Sequence, residues 1–68
     1  MQLSQITAVA PEVELTGNVA VLRWPEADFA VSVEADGEVG QFTGPHSRFE
    51  AEIAVLHHID EAVARLNG

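Results

Sequence analysis

Between Glu12 and Thr43 the apolar side chains fall in short blocks, Glu12-Val13-Glu14-Leu15, Val19 to Trp24, Phe29 to Glu34 and Val39 to Thr43, the first alternating with glutamates and the second opening on four apolar residues. Alternation with a period of two belongs to strands that bury one face. Three turn signals separate the runs. Gly17-Asn18 is a two-residue hairpin signal, Pro25-Glu26-Ala27-Asp28 a loop opened by proline, and Asp36-Gly37 a type I′ signal, because Gly tolerates positive φ. Taken literally, these turns set a register. The first pairs Leu15 with Ala20, Val13 with Leu22 and Glu12 with Arg23. The second pairs Trp24 with Phe29, Leu22 with Val31 and Ala20 with Val33. The third pairs Val33 with Gly40 and Val31 with Phe42.

Directly opposed residues share a face, so the register sorts the side chains. One face collects Val13, Leu15, Ala20, Leu22, Trp24, Phe29, Val31, Val33 and Phe42. The other collects Glu12, Glu14, Thr16, Val19, Val21, Arg23, Ala30, Ser32, Glu34, Val39, Gln41 and Thr43. A slip of one residue would mix the two sets. The pattern therefore predicts a four-stranded antiparallel β-meander over residues 12–43.

After Gly44-Pro45 the period changes. Ser47-Arg48-Phe49-Glu50 has the form of a capping box, and Asn67-Gly68 a C-terminal stop. At about 100° per residue, Phe49, Ile53, Val55, Leu56, Ile59, Val63 and Leu66 share one arc, with Glu50, His57, His58, Glu61 and Arg65 opposite. A single helix over 47–67, packed across the apolar sheet face, is the expectation. The fold class is then α+β, in one domain spanning 1–68. Residues 1–11 are less patterned: Leu3, Ile6 and Ala10 suit a helical face, while Ile6, Thr7 and Val9 favour a strand. An extended edge segment is expected there.

Charge changes the picture more than any motif. The chain has eleven carboxylates against three arginines and no lysine, a formal net charge of −8 on 68 residues. Such a field repels phosphate backbones and anionic lipid and attracts basic protein surfaces. Three scattered arginines make no basic stripe, which excludes direct nucleic-acid reading. No cysteine is present, excluding disulfides and thiolate–zinc sites and fitting a reducing compartment. Residues 1–11 lack a basic leader region, and no apolar run approaches a membrane span, so a cytoplasmic location is expected. A core this small gains from a partner or from self-association.

The candidate chemistry is thin. His57 or His58 with Glu61 could chelate a metal at one-turn spacing, but adjacent histidines point about 100° apart, and a solvated helix face explains them as well. His46 precedes a helix cap, Ser47 is that cap, and no nucleophile–base–acid set is evident, so no enzyme, cofactor or metal site is expected. Glu52 falls near the helix's apolar arc and needs a partner such as Arg48 or Arg23, or a place at the rim. Arg23-Trp24 resembles a binding hot spot in composition, yet the register sends Trp24 to the core and Arg23 outward, opposite Glu12.

The outer sheet face is the best candidate surface. Val19, Val21, Ala30 and Val39 form an apolar strip bordered by Glu12, Glu14, Glu34 and Gln41, the make-up of a contact surface. Glu12, Glu14, Val19, Val21, Glu34 and Val39 are the expected partner-binding residues, unless the uncharged N-terminal segment covers them. The implied function is a non-catalytic protein-interaction module for a protein partner with a basic surface, for example an inhibitor occupying a nucleic-acid-binding groove, as a phage anti-defence, antitoxin or immunity protein would. The alternatives are a homodimer formed through the same face and, third, a small metal-binding or enzymatic domain.

Overall fold

A computed structural model describes residues 3–68. The elements are α1 (Leu3–Ile6), β1 (Glu12–Thr16), β2 (Val19–Trp24), a 3₁₀ turn (Pro25–Ala27), β3 (Phe29–Glu34), β4 (Val39–Thr43), α2 (Arg48–Ala54) and α3 (Leu56–Asn67). The strands form one antiparallel sheet in the order β1-β2-β3-β4, a meander, as connections of a few residues require. With the C-terminal helices on one face, the fold is α+β.

The first two hairpins have the predicted register: Leu15 opposes Ala20, Val13 opposes Leu22, Leu22 opposes Val31 and Trp24 opposes Phe29. The third differs at its turn end. Gly37 N–H donates to Glu34 O at 2.8 Å, and Glu34 N–H to Glu38 O at 2.8 Å. Gly37 has φ of +91°, whereas Asp36 is not left-handed. This is a three-residue loop, a type I turn closed by a left-handed glycine, and not the two-residue I′ turn expected from Asp36-Gly37. It brings β4 in one residue early, so Val33 opposes Val39 instead of Gly40. A bulge then restores the register, and Val31 opposes Phe42 as predicted. At the bulge Gln41 N–H donates to Ser32 Oγ at 2.8 Å, and a Cβ on Gly40 would lie 2.9 Å from that oxygen. Any larger residue at position 40 would have to displace the Ser32 hydroxyl from this bond.

The core lies between the sheet and the helices. Leu22, Trp24, Phe29, Val31, Val33 and Val39 come from the strands, and Ala51, Ala54, Val55 and Ala62 from the helices. The single helix expected over 47–67 is divided at Val55, which has φ −104° and ψ 4°. His58 N–H bonds Val55 O at 2.8 Å, a tighter i to i+3 closure at the boundary between α2 and α3. Ser47 caps α2 as predicted, its Oγ accepting from Glu50 N–H at 3.2 Å.

The buried helical face is not the arc of large residues. Phe49, Ile53 and Leu56, expected inward, are 72%, 51% and 61% exposed, while Ala51, Ala54 and Val55 are buried. Short alanine side chains let the helix backbone approach the sheet and α1, and that turns the larger residues outward. Ile59, Val63 and Leu66 do pack against the core. Leu15 shares the core side of β1 but stays 51% exposed beyond the helices.

The N-terminal segment also departs from expectation. Residues Leu3–Ile6 form a helical turn rather than an extended edge, and the part of that expectation on residues 1–2 lies outside the described residues. The turn buries Leu3 in the core, and the Thr7 hydroxyl donates to Leu3 O at 3.3 Å. Trp24 Nε1–H donates to Val9 O at 2.9 Å. These bonds hold the segment on the helical side of the sheet, because the indole N–H of a core tryptophan needs an acceptor.

Candidate functional surface

Because α1, α2 and α3 all pack against one side of the sheet, no described element covers the other. On that outer side β1 presents Glu12 and Glu14, β2 presents Val19, Val21 and Arg23, and β3 presents Ala30, Ser32 and Glu34. Val19, Val21 and Ala30 are half-buried by their neighbours, while Glu12, Glu14 and Glu34 are exposed. Five of the six expected partner-binding residues are therefore gathered on one open face. Val39 is the exception: the early return of β4 turns it inward, leaving it 7% exposed in the core. Among the described residues the N-terminal segment lies on the helical side, bonded to Trp24 and His58, and does not fold over the face.

The electrostatics of the face follow from its few cations. Arg23 opposes Glu12 in the register, yet its Nη1 bonds Glu14 Oε2 at 3.4 Å, the diagonal neighbour two residues along β1. Both partners are about half exposed, so the pair holds geometry more than it adds stability. Glu12 and Glu34 make no ion pair among the described residues. Charge is also divided unevenly between the two layers. Glu12, Glu14, Glu26, Asp28, Glu34, Asp36 and Glu38 lie in the strands and their turns, with Arg23 the sole cation there. The helical segment carries Glu50, Glu52, Asp60 and Glu61 with Arg48 and Arg65.

Comparison with protein-family models, with curated proteins and with solved structures finds no match.

The remaining candidates have structural surroundings. Arg48 donates to the carbonyls of Val39 and, at 3.1 Å, Gly40, and its Nε lies 3.3 Å from Glu52 Oε1. Glu52 thus finds the predicted Arg48 partner, and the arginine ties α2 to the β4 bulge. His58 Nε2 lies 2.7 Å and His57 Nε2 3.4 Å from Thr7 O. A carbonyl only accepts, so each ring carries its hydrogen on Nε2 when it makes this bond. His58 also meets Trp24 edge-on at 5.4 Å, a half-buried position where a solvated helix face was expected. His46 stands edge-on to Phe29 at 5.9 Å, with Nδ1 3.7 Å from Glu50 Oε2. Glu61 pairs with Arg65 at 3.3 Å. Among the described residues no group of three or more His, Cys, Asp or Glu side chains converges to hold a metal ion. No helix there is long and apolar enough to cross a membrane.

Two shallow clefts flank the helices. One, of about 280 Å³, lies between the β3–β4 loop and α2–α3, lined by Gly37, Glu38, Val39, Arg48, Glu52, Leu56 and Ile59. The other, of about 140 Å³, includes Pro11, Val13, Leu22, His58 and Arg65. Both fall below the roughly 300–1,000 Å³ typical of small-molecule sites. The surface that sequence reasoning missed is the stripe Phe49-Ile53-Leu56. Its signal was present in Ala51, Ala54, Val55 and Ala62, a second apolar arc that competes for the sheet.

Proposed function

We propose that the chain is a non-catalytic protein-interaction module that docks a basic protein surface on the outer face of its sheet. The observation that carries this reading is the open face itself, with Glu12, Glu14 and Glu34 exposed around Val19, Val21 and Ala30. An apolar strip supplies contact area, and the surrounding carboxylates orient a cationic partner and accelerate its encounter. One concrete form is an inhibitor that occupies a nucleic-acid-binding groove, since its carboxylates would meet the Arg and Lys side chains that otherwise hold phosphates. Self-association through this same face would bring like charges together across a two-fold axis, at a cost.

The test uses an arginine-rich peptide as the probe. Glu12, Glu14 and Glu34 are changed together to Gln, with Glu50 and Glu61 changed to Gln as the control on the other layer. The sheet triple variant should slow association about tenfold at low salt, and the difference should shrink as salt is added. Removing Glu14 also releases Arg23, which adds to the loss. Slower binding in the Glu50/Glu61 variant with normal binding in the triple variant would move the contact to the helices.

A further inference from the structure

We propose that the stripe Phe49-Ile53-Leu56 is the contact surface for a second copy of this chain, giving a dimer joined helix to helix with its two acidic sheets facing outward. The inference does not depend on the sheet-face reading, because it uses the opposite layer of the molecule.

The arrangement of α2 is inverted relative to an ordinary surface helix. It buries Ala51 and Ala54 and leaves Phe49 and Ile53 in solvent, with Leu56 continuing the row one turn on. Phe49 is 72% exposed and Leu56 61%, the two largest exposures among the side chains of the row. Phe49 and Ile53, four residues apart, share one face of α2, and Leu56 opens α3 just past the break at Val55. Scattered apolar residues on a surface need no explanation, but a contiguous row of large ones marks a contact.

Three arguments select a second copy as the occupant. The first is charge. Outside its helical segment the chain is strongly acidic, whereas beside the stripe Glu52 pairs with Arg48 and Glu50 faces His46. With four carboxylates against two arginines the helical segment nets −2, against −6 for the strands and turns, so it is where two copies of a −8 chain meet with least repulsion. The second is symmetry: an antiparallel two-fold about Ile53 sets Phe49 of one copy against Leu56 of the other, beside the cleft of about 280 Å³ that Leu56 lines. The third is area. The three side chains expose on the order of 400 Å² per copy. Two copies thus bring about 800 Å² of stripe together, and flanking side chains such as Arg48, Glu52 and Ile59 must supply the rest of the ~1,200 Å² of a stable interface, so the dimer is a weak one.

Sedimentation equilibrium of the full chain from micromolar to millimolar, at low and high salt, tests this. The expected result is a monomer–dimer equilibrium that tightens with added salt, because screening relieves the repulsion between copies. Phe49→Ser and Leu56→Ser should each weaken the dimer about tenfold or more, with unchanged circular dichroism. Leu15→Ser, at an apolar site on the sheet as exposed as Ile53, should leave it intact. A chain that stays monomeric at millimolar concentration overturns the proposal and leaves the stripe to a different protein. A dimer indifferent to Phe49 and Leu56, or one that weakens with salt, overturns it as well.

Discussion

Val39 faces the core because the left-handed Gly37 closes the β3–β4 turn one residue early. Val21, on the adjacent half of the sheet, points outward and is only half-buried. Val39→Ala should therefore cost about 2 kcal/mol in urea unfolding, the transfer value of two buried methylene-sized groups plus strain at the gap. Val21→Ala should cost under about 0.5 kcal/mol. Equal losses would mean that the β4 register has been misread. The misplacement of Val39 from sequence has a definite cause. Asp36-Gly37 suits both a two-residue I′ turn and the last two positions of a three-residue loop, and the two differ by one residue. Phe42 was placed correctly because the bulge at Gly40 cancels the shift. Nothing in the alternation distinguishes a shift followed by a bulge from a continuous ladder, although the missing Cβ at Gly40 was a hint.

The hairpins of β1, β2 and β3 were legible because their period, turns and cross-strand pairs agree. The helical segment was only half legible. Weighting the large side chains gives an arc through Phe49, Ile53 and Leu56, but the sheet takes the alanine side. Two substitutions on α2 check that orientation, measured at dilutions where the chain is monomeric. Ala51→Leu places a large side chain at a position with no exposure and should destabilise by about 1–3 kcal/mol through overpacking. Phe49→Ser should change monomer stability by less than about 0.5 kcal/mol. The reverse outcome would restore the arc expected from sequence. The N-terminal turn illustrates the same limit. Its place is decided by long-range bonds, Val9 O to the Trp24 indole and Thr7 O to His58, which no local pattern announces.

The molecule as a whole has two unlike faces. One is an acidic sheet surface, and the other is a helical layer with two of its four carboxylates, Glu52 and Glu61, paired with arginine and an apolar stripe along it. The candidate surface was legible in the sequence for Glu12, Glu14, Val19, Val21 and Glu34 because the first two turns fix their side of the sheet. The stripe was not, since its exposure depends on how the helix is rotated. Opposite salt dependences separate the two surfaces: docking of a basic partner on the sheet weakens with salt, while pairing of helices strengthens. The sheet-face account is tested most directly by titrating the isotopically labelled chain with an arginine-rich peptide and following its backbone amide resonances. The account predicts salt-sensitive shifts concentrated on outward positions of β1, β2 and β3, around Glu12, Glu14, Val21 and Glu34. Shifts concentrated on α2 and α3, with those strand amides unmoved, would contradict it.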